Sequence, residues 1–376
     1  MQHHATFSHF SLVISSRCHA PLRSTHSPPF TPPSLDAGCD YPSLGPSYTV
    51  RGVPSGVHLK PSGASRSPLD GSMRMSFTAY WNGEWVPSEQ IRIDPLDRGF
   101  MVADATFEAT RTFNGRIYHL GDHIRRLYRS LDYIRLDPGL TEDEMAALTE
   151  EAVERNLDKL DAVGDLHIHH FVTRGKGRRA WSADGAQVGI RVSGLDFAGY
   201  YTAYDGLKAV ITRTQSYHAE ALDPKIKHYS RMNFNLAELE ANELDPGALP
   251  ILRDRDGCIT EGSSYNVFIV TDGRLRTSTT RTVLEGVSRK VVLSLASQLD
   301  IETRIEDIQP YDVLNADECF FTSTSWCMVP VTTVDKRPVG DGKIGPVTKQ
   351  LLAAWSENVS LDIVDQAVRH GSRAVV

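Results

Sequence analysis

The sequence predicts a mixed α/β (α+β) protein with a small N-terminal α/β domain and a larger C-terminal domain built on a mixed sheet. The chain has 376 residues, of which 40% are hydrophobic and 23% charged, as is usual for a folded protein. Strand and helix patterns are mixed without the regular alternation of a doubly wound parallel sheet. A polar connection at 198–206 is predicted to separate domains at 75–197 and 207–376.

Two Asn-Gly dipeptides mark hairpins in the N-terminal domain. Asn82-Gly83 and Asn114-Gly115 favour type I′ turns, and they predict hairpins over 77–85 and 106–119. Apolar periodicity and a capping box assign the other elements. These are a strand at 89–93, a helix at 122–134, a helix beginning with a Thr141–Glu144 capping box, and strands at 165–173 and 188–192.

The C-terminal domain is predicted to alternate short strands with amphipathic helices. The clearest helix follows Leu284-Glu285-Gly286 and carries Val291, Leu295 and Leu299 on one face. The predicted strands lie at 207–213, around Ile259, at 267–270 and at 318–324, and the strand around Ile259 is predicted to pair with the one at 267–270. The predicted helices lie at 233–242, 287–299 and 345–355, the last of which closes the domain.

Residues 1–74 differ in composition from the rest of the chain. They hold ten of the twenty prolines, only three acidic residues and no periodic apolar pattern. Such a segment buries too little apolar surface to offset its conformational entropy, so it is predicted to be disordered. A start codon assigned too early is the favoured explanation, since Met73 and Met75 stand where the ordered pattern begins. A serine-rich, acid-poor targeting segment is the alternative.

Charge and motif content exclude several classes of function. A formal net charge of −7 argues against a nucleic-acid partner, and no apolar run is long enough for a membrane span. Five cysteines without C-x-x-C spacing indicate neither a disulfide framework nor a zinc site. The signatures of dinucleotide-binding, P-loop and common hydrolase sites are missing. A cytoplasmic enzyme is expected, with organelle targeting by residues 1–74 left open.

Three local features suggest a site for a phosphate group. Gly286-Val287-Ser288 opens a helix, whose free N–H groups and dipole favour an anion. Hydroxyl groups cluster at 322–325 after a strand, and Arg125 or Arg126 could reach inward from a helix. Each feature also has an ordinary interpretation, because helix starts usually cap themselves and most arginines face water.

Several longer motifs follow one another from residue 97 to residue 330. They are Asp97-Arg98-Gly99-Phe100 with Thr106-Phe107-Glu108, His123-Ile124-Arg125-Arg126-Leu127, Ile226-Lys227, Thr260-Glu261-Gly262-Ser263-Ser264-Tyr265-Asn266, Leu284-Glu285-Gly286-Val287-Ser288-Arg289, and Thr324 six positions before Pro330. In order and spacing this set resembles the class IV aminotransferases, the fold-type IV pyridoxal-phosphate (PLP) enzymes. That family includes branched-chain and D-amino-acid aminotransferases and aminodeoxychorismate lyases. The resemblance implies a two-domain fold-type IV enzyme with PLP as cofactor.

The resemblance also implies roles for cofactor-site residues. Lys227 looks like the lysine that forms the internal aldimine and moves the α-proton as general base and acid. Glu261 resembles the carboxylate that keeps the pyridine nitrogen protonated, which makes the ring an electron sink. Arg126, rather than Arg125, matches the phosphate-binding arginine. The other implied contacts are the N–H groups of Val287 and Ser288, the Thr324 hydroxyl and Leu284 on the ring face, where a core leucine is an equally good interpretation.

The resemblance is looser where substrate binds. Arg98 and Arg179 fall where D-amino-acid aminotransferases place two arginines of the partner subunit around the α-carboxylate, but Trp181 replaces their histidine. A planar guanidinium suits a carboxylate, although Arg179 also belongs to a basic stretch typical of a surface loop.

Branched-chain enzymes instead place a tyrosine and an arginine on the preceding strand, where this chain has His167 and His169. Two histidines without a third ligand nearby in sequence do not predict a metal site. Phe107 and Ser325 are further predicted substrate contacts.

Together these observations predict a PLP-dependent aminotransferase acting on an amino acid and a 2-oxo acid. A branched-chain or other hydrophobic amino acid is the first choice. Because the family's sites borrow residues from a second subunit, the resemblance also implies a homodimer. An aminodeoxychorismate-type lyase, a D-amino-acid or amine transaminase, and a PLP-binding module without turnover stay open as alternatives.

Overall fold

The computed structural model describes residues 75–373 of the chain. The predictions made for residues 1–74 therefore lie outside the described residues. The described part contains two β-sheets with helices packed against them, which confirms the predicted mixed α+β class. The predicted domain boundaries at 198–206 stay a prediction, and this connection contains a short 3-10 helix at Tyr201–Asp205.

The first sheet has six antiparallel strands in the order β2-β1-β6-β5-β3-β4. Both predicted Asn-Gly turns are present, and all four of their residues have positive φ, as a type I′ turn requires. The strands are β1 (Thr78–Trp81), β2 (Glu84–Pro87), β3 (Ala105–Phe113), β4 (Arg116–Ile117), β5 (Leu166–Thr173) and β6 (Gln187–Gly194).

Four helices accompany the first sheet, and the two longest cover one of its faces. Ile124 and Leu127 pack there against Ile168, Val172 and Ile190 in a common core. The opposite face of β5 therefore carries His167, His169 and Phe171, since side chains alternate along a strand. The helices are α1 (Arg98–Val102), α2 (Leu120–Ile134), α3 (Glu142–Glu154), which starts with the predicted Thr141–Glu144 capping box, and α4 (Leu160–Val163).

The second sheet is mixed, as predicted for the C-terminal part. Its order is β11-β10-β9-β12-β13-β7-β8, with β14 paired to β13, and the β13/β7, β7/β8 and β10/β11 pairs are parallel. The strands are β7 (Leu207–Gln215), β8 (Leu249–Arg253), β9 (Asn266–Thr271), β10 (Arg274–Thr277), β11 (Thr303–Ile305), β12 (Glu318–Ser323), β13 (Cys327–Val334) and β14 (Arg337–Pro338).

Five helices belong to this second part, and α6 and α8 enclose the larger core. Val292, Leu295 and Trp355 pack there against Phe268 and Phe320 of the sheet. The helices are α5 (Met232–Leu244), α6 (Val287–Gln298), α7 (Pro310–Leu314), α8 (Pro346–Asn358) and α9 (Ile363–Arg373).

Three element predictions are wrong. No strand forms at 89–93. Strand β2 ends at Pro87, which cannot donate a further hydrogen bond to the sheet, and a 3-10 helix follows at Ser88–Gln90. Ile259 forms isolated bridges with Arg253 and Ile308, so it does not pair with β9. The helix predicted to close the chain is followed by α9.

A buried polar cluster joins α9 to the first sheet. The Asp165 carboxylate accepts hydrogen bonds from Thr112 Oγ1 at 2.5 Å and from Gln366 Nε2 at 2.6 Å. Arg111 lies 3.5 Å from the same carboxylate and donates to Gln366 Oε1 and to the Ser325 carbonyl oxygen. This cluster fixes β3, the turn after β12 and α9 to one another.

Candidate active site

Lys227 lies in the segment between β7 and α5, and two backbone contacts fix its position. Its carbonyl oxygen accepts a hydrogen bond of 3.0 Å from the Phe107 N–H on β3. Its own N–H donates to Ser130 Oγ on α2 at 3.2 Å. The lysine is therefore attached to the first sheet although it stands between elements of the second.

The Lys227 side chain points into a cleft with its amine free. Within residues 75–373 no hydrogen bond engages Nζ, which lies 4.6 Å from the centre of the Phe107 ring. Burial, reinforced by the positive charge of Arg126, lowers the pKa of Lys227 to about 8. An amine with this pKa is partly unprotonated near neutral pH, which a nucleophile or a general base requires.

Glu261 forms one wall of the same cleft. Glu261 Oε2 accepts hydrogen bonds from the Leu284 N–H at 3.1 Å and from Asn266 Nδ2 at 3.4 Å. Burial raises the pKa of Glu261 to about 7, although the nearby Arg231 acts in the opposite direction. The carboxyl can thus hold or release a proton near neutral pH.

The N-terminus of α6 forms another wall of the cleft. Among the described residues, the N–H groups of Val287 and Ser288 have no hydrogen-bond acceptor, as expected in the first turn of a helix. A side chain at Gly286, which caps this helix, would collide with the Asn266 side chain. Glycine therefore allows the helix to start against the wall that holds Glu261.

Arg126 completes this end of the cleft and is held by a buried carboxylate. Its Nε and Nη2 donate to the two oxygens of Glu108 at 2.8 and 2.6 Å, and its Nη1 donates to the Glu285 carbonyl oxygen. His123 Nδ1 lies 3.0 Å from the same carboxylate. Burial opposes ionisation of Glu108, but the charge of Arg126 and the hydrogen bond from His123 hold the pKa of Glu108 well below the usual range. Arg125 is exposed and pairs with Asp122.

The donors at this end fit a phosphate group. Thr322 Oγ1 and Ser323 Oγ are buried in the cleft wall, and neither has a partner in the described part of the chain. Helix N–H groups, hydroxyls and a guanidinium with two N–H bonds to spare form a typical anion site. Thr324 belongs to the same lining, and its hydroxyl donates to the Ala109 carbonyl oxygen at 3.3 Å. Leu284 is part of this lining as well.

The structure thus brings together every residue predicted to bind the cofactor. The lining combines three features: an anion site, a free amine and a carboxyl that titrates near neutrality. The residues that line it together are Arg126, Lys227, Glu261, Leu284, Val287, Ser288 and Thr324.

Two predicted substrate residues lie beside the lysine. Phe107 contacts Tyr229 and His169, with ring centres 4.8 and 5.6 Å apart. Tyr229 Oη lies 3.4 Å from His169 Nε2. These rings continue from Lys227 along the face of the first sheet that the helices leave open.

None of the predicted substrate residues belongs to the lining of the cleft itself. Ser325 and His167 line a neighbouring cavity. Arg98 is bound to Asp104 at 2.9 Å and to the Gly177 carbonyl oxygen. Arg179 is exposed on the 174–186 loop, 5.8 Å from the Trp181 ring, which is 84% exposed.

Sequence reasoning gave no role to several residues of the site. Glu108 and His123 were part of the motifs, but nothing local showed that Glu108 on β3 binds both Arg126 and His123 on α2. Arg231 donates to the Ser263 carbonyl oxygen and stacks over Phe234 at 3.7 Å. One sequence feature could have indicated such residues: a charged or polar side chain at a position that the helix or strand periodicity assigns to the buried face.

Comparison with known proteins agrees with this geometry. The family described as amino-transferase class IV matches residues 105–334. A D-alanine aminotransferase of Staphylococcus haemolyticus is 30% identical over 74% of this chain and 96% of its own length. A Methanocaldococcus jannaschii protein named "Putative branched-chain-amino-acid aminotransferase" is 30% identical over 72% of this chain and 93% of its own length.

A solved structure shares the fold as well. The branched-chain aminotransferase of the archaeon Thermoproteus uzoniensis superimposes with a TM-score of 0.67 at 26% identity, covering 79% of this chain and 97% of the other. The family match over more than half of the chain, together with the fold and the cleft, shows that the protein belongs to the class IV aminotransferases, enzymes that use PLP.

Proposed function

We propose that this aminotransferase moves the amino group of a hydrophobic, branched-chain amino acid to a 2-oxo acid, and that Lys227 is its catalytic residue. The Lys227 amine, free of hydrogen bonds in the cleft and with a pKa lowered to about 8, is the observation that carries the assignment. Bound PLP supplies an electron sink that stabilises negative charge at the substrate α-carbon. The chain then has to bind the cofactor, orient the substrate and move one proton.

Lys227 Nζ is the group that moves the proton. Its lowered pKa would let it accept the α-proton and return it to the cofactor carbon that is bonded to the transferred nitrogen. Glu261, with a pKa near 7, is proposed to share a proton with the ring nitrogen of PLP. Arg126, Thr324 and the N–H groups of Val287 and Ser288 are proposed to hold the phosphate, and Leu284 to pack on the ring.

An apolar cavity beside the lysine supports a hydrophobic substrate. Its lining includes Ile93, Pro95, Phe100 and Phe171, and it reaches Tyr229 and His169 next to Phe107. The names of the M. jannaschii relative and of the T. uzoniensis enzyme point to the same substrate class.

A homodimer is part of the proposal. Exposed apolar side chains cluster on and before α1 (Leu96, Phe100, Met101) and along α5 (Met232, Leu236, Leu239). Apolar groups exposed together in this way are typical of a surface that another chain covers. In such a dimer the exposed Arg179 would be available to contact substrate in the site of the second copy. None of the described helices is long and apolar enough to cross a membrane; the cytoplasmic location stays a prediction.

Single-turnover spectroscopy with the purified PLP enzyme tests the function. Leucine, isoleucine and valine should each discharge the cofactor absorbance, and the matching 2-oxo acids should restore it. Borohydride reduction followed by peptide mapping should place the phosphopyridoxyl group on Lys227. Modification of another lysine would contradict the assignment, and pyruvate formed from aminodeoxychorismate without an amino acceptor would support a lyase instead.

A D-amino-acid transaminase is the second candidate, because the S. haemolyticus relative carries that activity in its name. Each amino acid should therefore be offered as both enantiomers. Discharge of the cofactor by D-alanine but not by L-leucine would replace the first proposal with this one.

A further inference from the structure

Arg191 is an exposed arginine in the middle of β6. Among residues 75–373 its guanidinium forms no ion pair and no hydrogen bond. It stands directly opposite His169 of β5, with the Phe171 and His167 pairs in the rows on either side. Directly opposite residues of antiparallel strands project from the same face. Arg191 therefore lies on the open face that also carries Phe107.

Two cavities meet at this guanidinium. The apolar one described above and a more polar one, lined by His167, Ser193 and Ser325, both include Arg191. Asp196 is the acidic residue in these two linings, and it instead accepts a hydrogen bond from the Gly199 N–H at 3.1 Å. An unpaired positive charge thus borders space that a small organic acid could enter.

The other basic groups of this face are neutral or already engaged. Burial, with Arg191 among the nearby charges, lowers the pKa of His167 to about 4 and that of His169 to about 3. Arg111 is bound to Asp165, Gln366 and the Ser325 carbonyl oxygen. Arg191 is then the available cation near neutral pH on this part of the face.

A continuous row of side chains leads from Arg191 to the reacting amine. His169 is its cross-strand neighbour, the Phe107 ring lies 5.6 Å from the His169 ring, and Lys227 Nζ lies 4.6 Å from the centre of the Phe107 ring. A ligand held at Arg191 therefore extends along one wall towards the lysine.

We infer that Arg191 binds a carboxylate of the amino acid and 2-oxo acid substrates. A planar guanidinium can donate two parallel hydrogen bonds to a carboxylate, and an unpaired one does so without breaking an internal ion pair. The inference rests on the proposed transamination. The carboxylate is either the one next to the reacting carbon or the distal one of a diacid, and the test separates the two.

The test is a binding titration on the PLP enzyme with acids that cannot react. The ligands are 4-methylpentanoate, glutarate and, as the uncharged match, 4-methylpentanamide; cofactor absorbance reports the Kd of each. R191Q should weaken binding of an acid about 10- to 100-fold, as for a lost hydrogen bond to a charged group, and leave the amide unchanged. R191K should recover part of the loss. R125Q, which alters another exposed arginine, should match the wild type.

Each outcome of the titration either supports or overturns the role of Arg191. Loss for both acids assigns Arg191 to the carboxylate beside the reacting carbon, and loss for glutarate alone assigns it to a distal carboxylate. Unchanged acid binding in R191Q, equal loss for the amide, or no acid binding by the wild type would overturn the inference. The titration needs no turnover, so an enzyme that binds glutarate through Arg191 but transaminates nothing would contradict only the proposed function.

Discussion

Two arginines show how differently the two halves of the active site are built, the cofactor half being the cleft and the proposed substrate half the open face of the first sheet. Arg126 is buried and held by both oxygens of Glu108, whereas Arg191 is exposed and pairs with none of the described residues. The first arrangement suits a group that stays bound through many turnovers, because the chain itself fixes the donor. The second suits a ligand that is exchanged in every cycle. The cofactor half is pre-organised, and the substrate half is left to be completed by what binds there.

The largest effect is expected from Lys227→Ala. Removal of a base that transfers the proton should lower the half-reaction rate about 1000-fold, within the usual range for such a group. PLP should be partly retained, because its other contacts persist. Lys225→Ala is the matched control, since Lys225 is exposed and bound to Asp223. A turnover near the wild-type value would remove Lys227 from the catalytic role.

Glu261→Gln should come next, with a loss in rate of about 100-fold, at the lower end of the range for groups that stabilise developing charge. An amide cannot take up the proton that a carboxyl with a pKa of about 7 holds. PLP affinity should change less than the rate. Glu285→Gln serves as the control, because the Glu285 carboxylate forms a surface ion pair of 3.6 Å with Arg129, which is largely exposed. An unaltered cofactor spectrum and rate would argue against the role.

Glu108→Gln tests the pre-organised half directly. Loss of the buried carboxylate leaves the Arg126 charge uncompensated, and breaking such a pair typically costs about 3–5 kcal/mol of stability. We expect a lower melting temperature and PLP binding weakened about 10-fold. Glu151→Gln, which removes an exposed pair with Arg155, should have little effect. Full PLP affinity in a destabilised variant would mean that Glu108 supports the fold and not the phosphate site.

A pH titration of the apoenzyme tests the free amine. The pKa of Lys227 is lowered to about 8, so Nζ is protonated below that pH and reactive above it. The rate at which apoenzyme recaptures PLP, or reacts with an amine reagent at Lys227, should rise through pH 8. A midpoint near the ordinary lysine value would show that burial does not tune the amine.

The smallest effect is expected at the edge of the substrate half. Arg179→Ala should raise KM several-fold for substrates with a carboxylate and leave kcat close to normal, which is the pattern of lost ground-state binding. Arg178→Ala, at the neighbouring exposed position, is the control. Equal damage with amines that lack a carboxylate would make Arg179 a structural residue of its loop.

The same contrast explains what could be read from the sequence. Strands around the Asn-Gly turns, α2, α3 and the N-terminus of α6 depend on short-range patterns, and they lie close to where they were expected. The cofactor residues could be assigned because their motifs and spacing resemble a known family.

Other features depend on contacts that the sequence does not display. The strand predicted at 89–93 is missing because the edge strand ends at Pro87. Ile259 pairs with Arg253 and Ile308, which are far apart in sequence from each other. No sequence pattern indicated a role for Arg191. Its proposed role depends on the strand opposite and on two cavities that form only in the folded chain.

The Asp165 cluster also has a consequence for the order in which the protein is made. Gln366 is synthesised 201 residues after Asp165, and proteins fold from the N-terminus as they leave the ribosome. A nascent chain that has completed the first sheet still lacks the amide that binds this buried carboxylate. Arg111 likewise gains its Gln366 partner only after α9 has been synthesised, so this cluster is completed late in the synthesis of the chain.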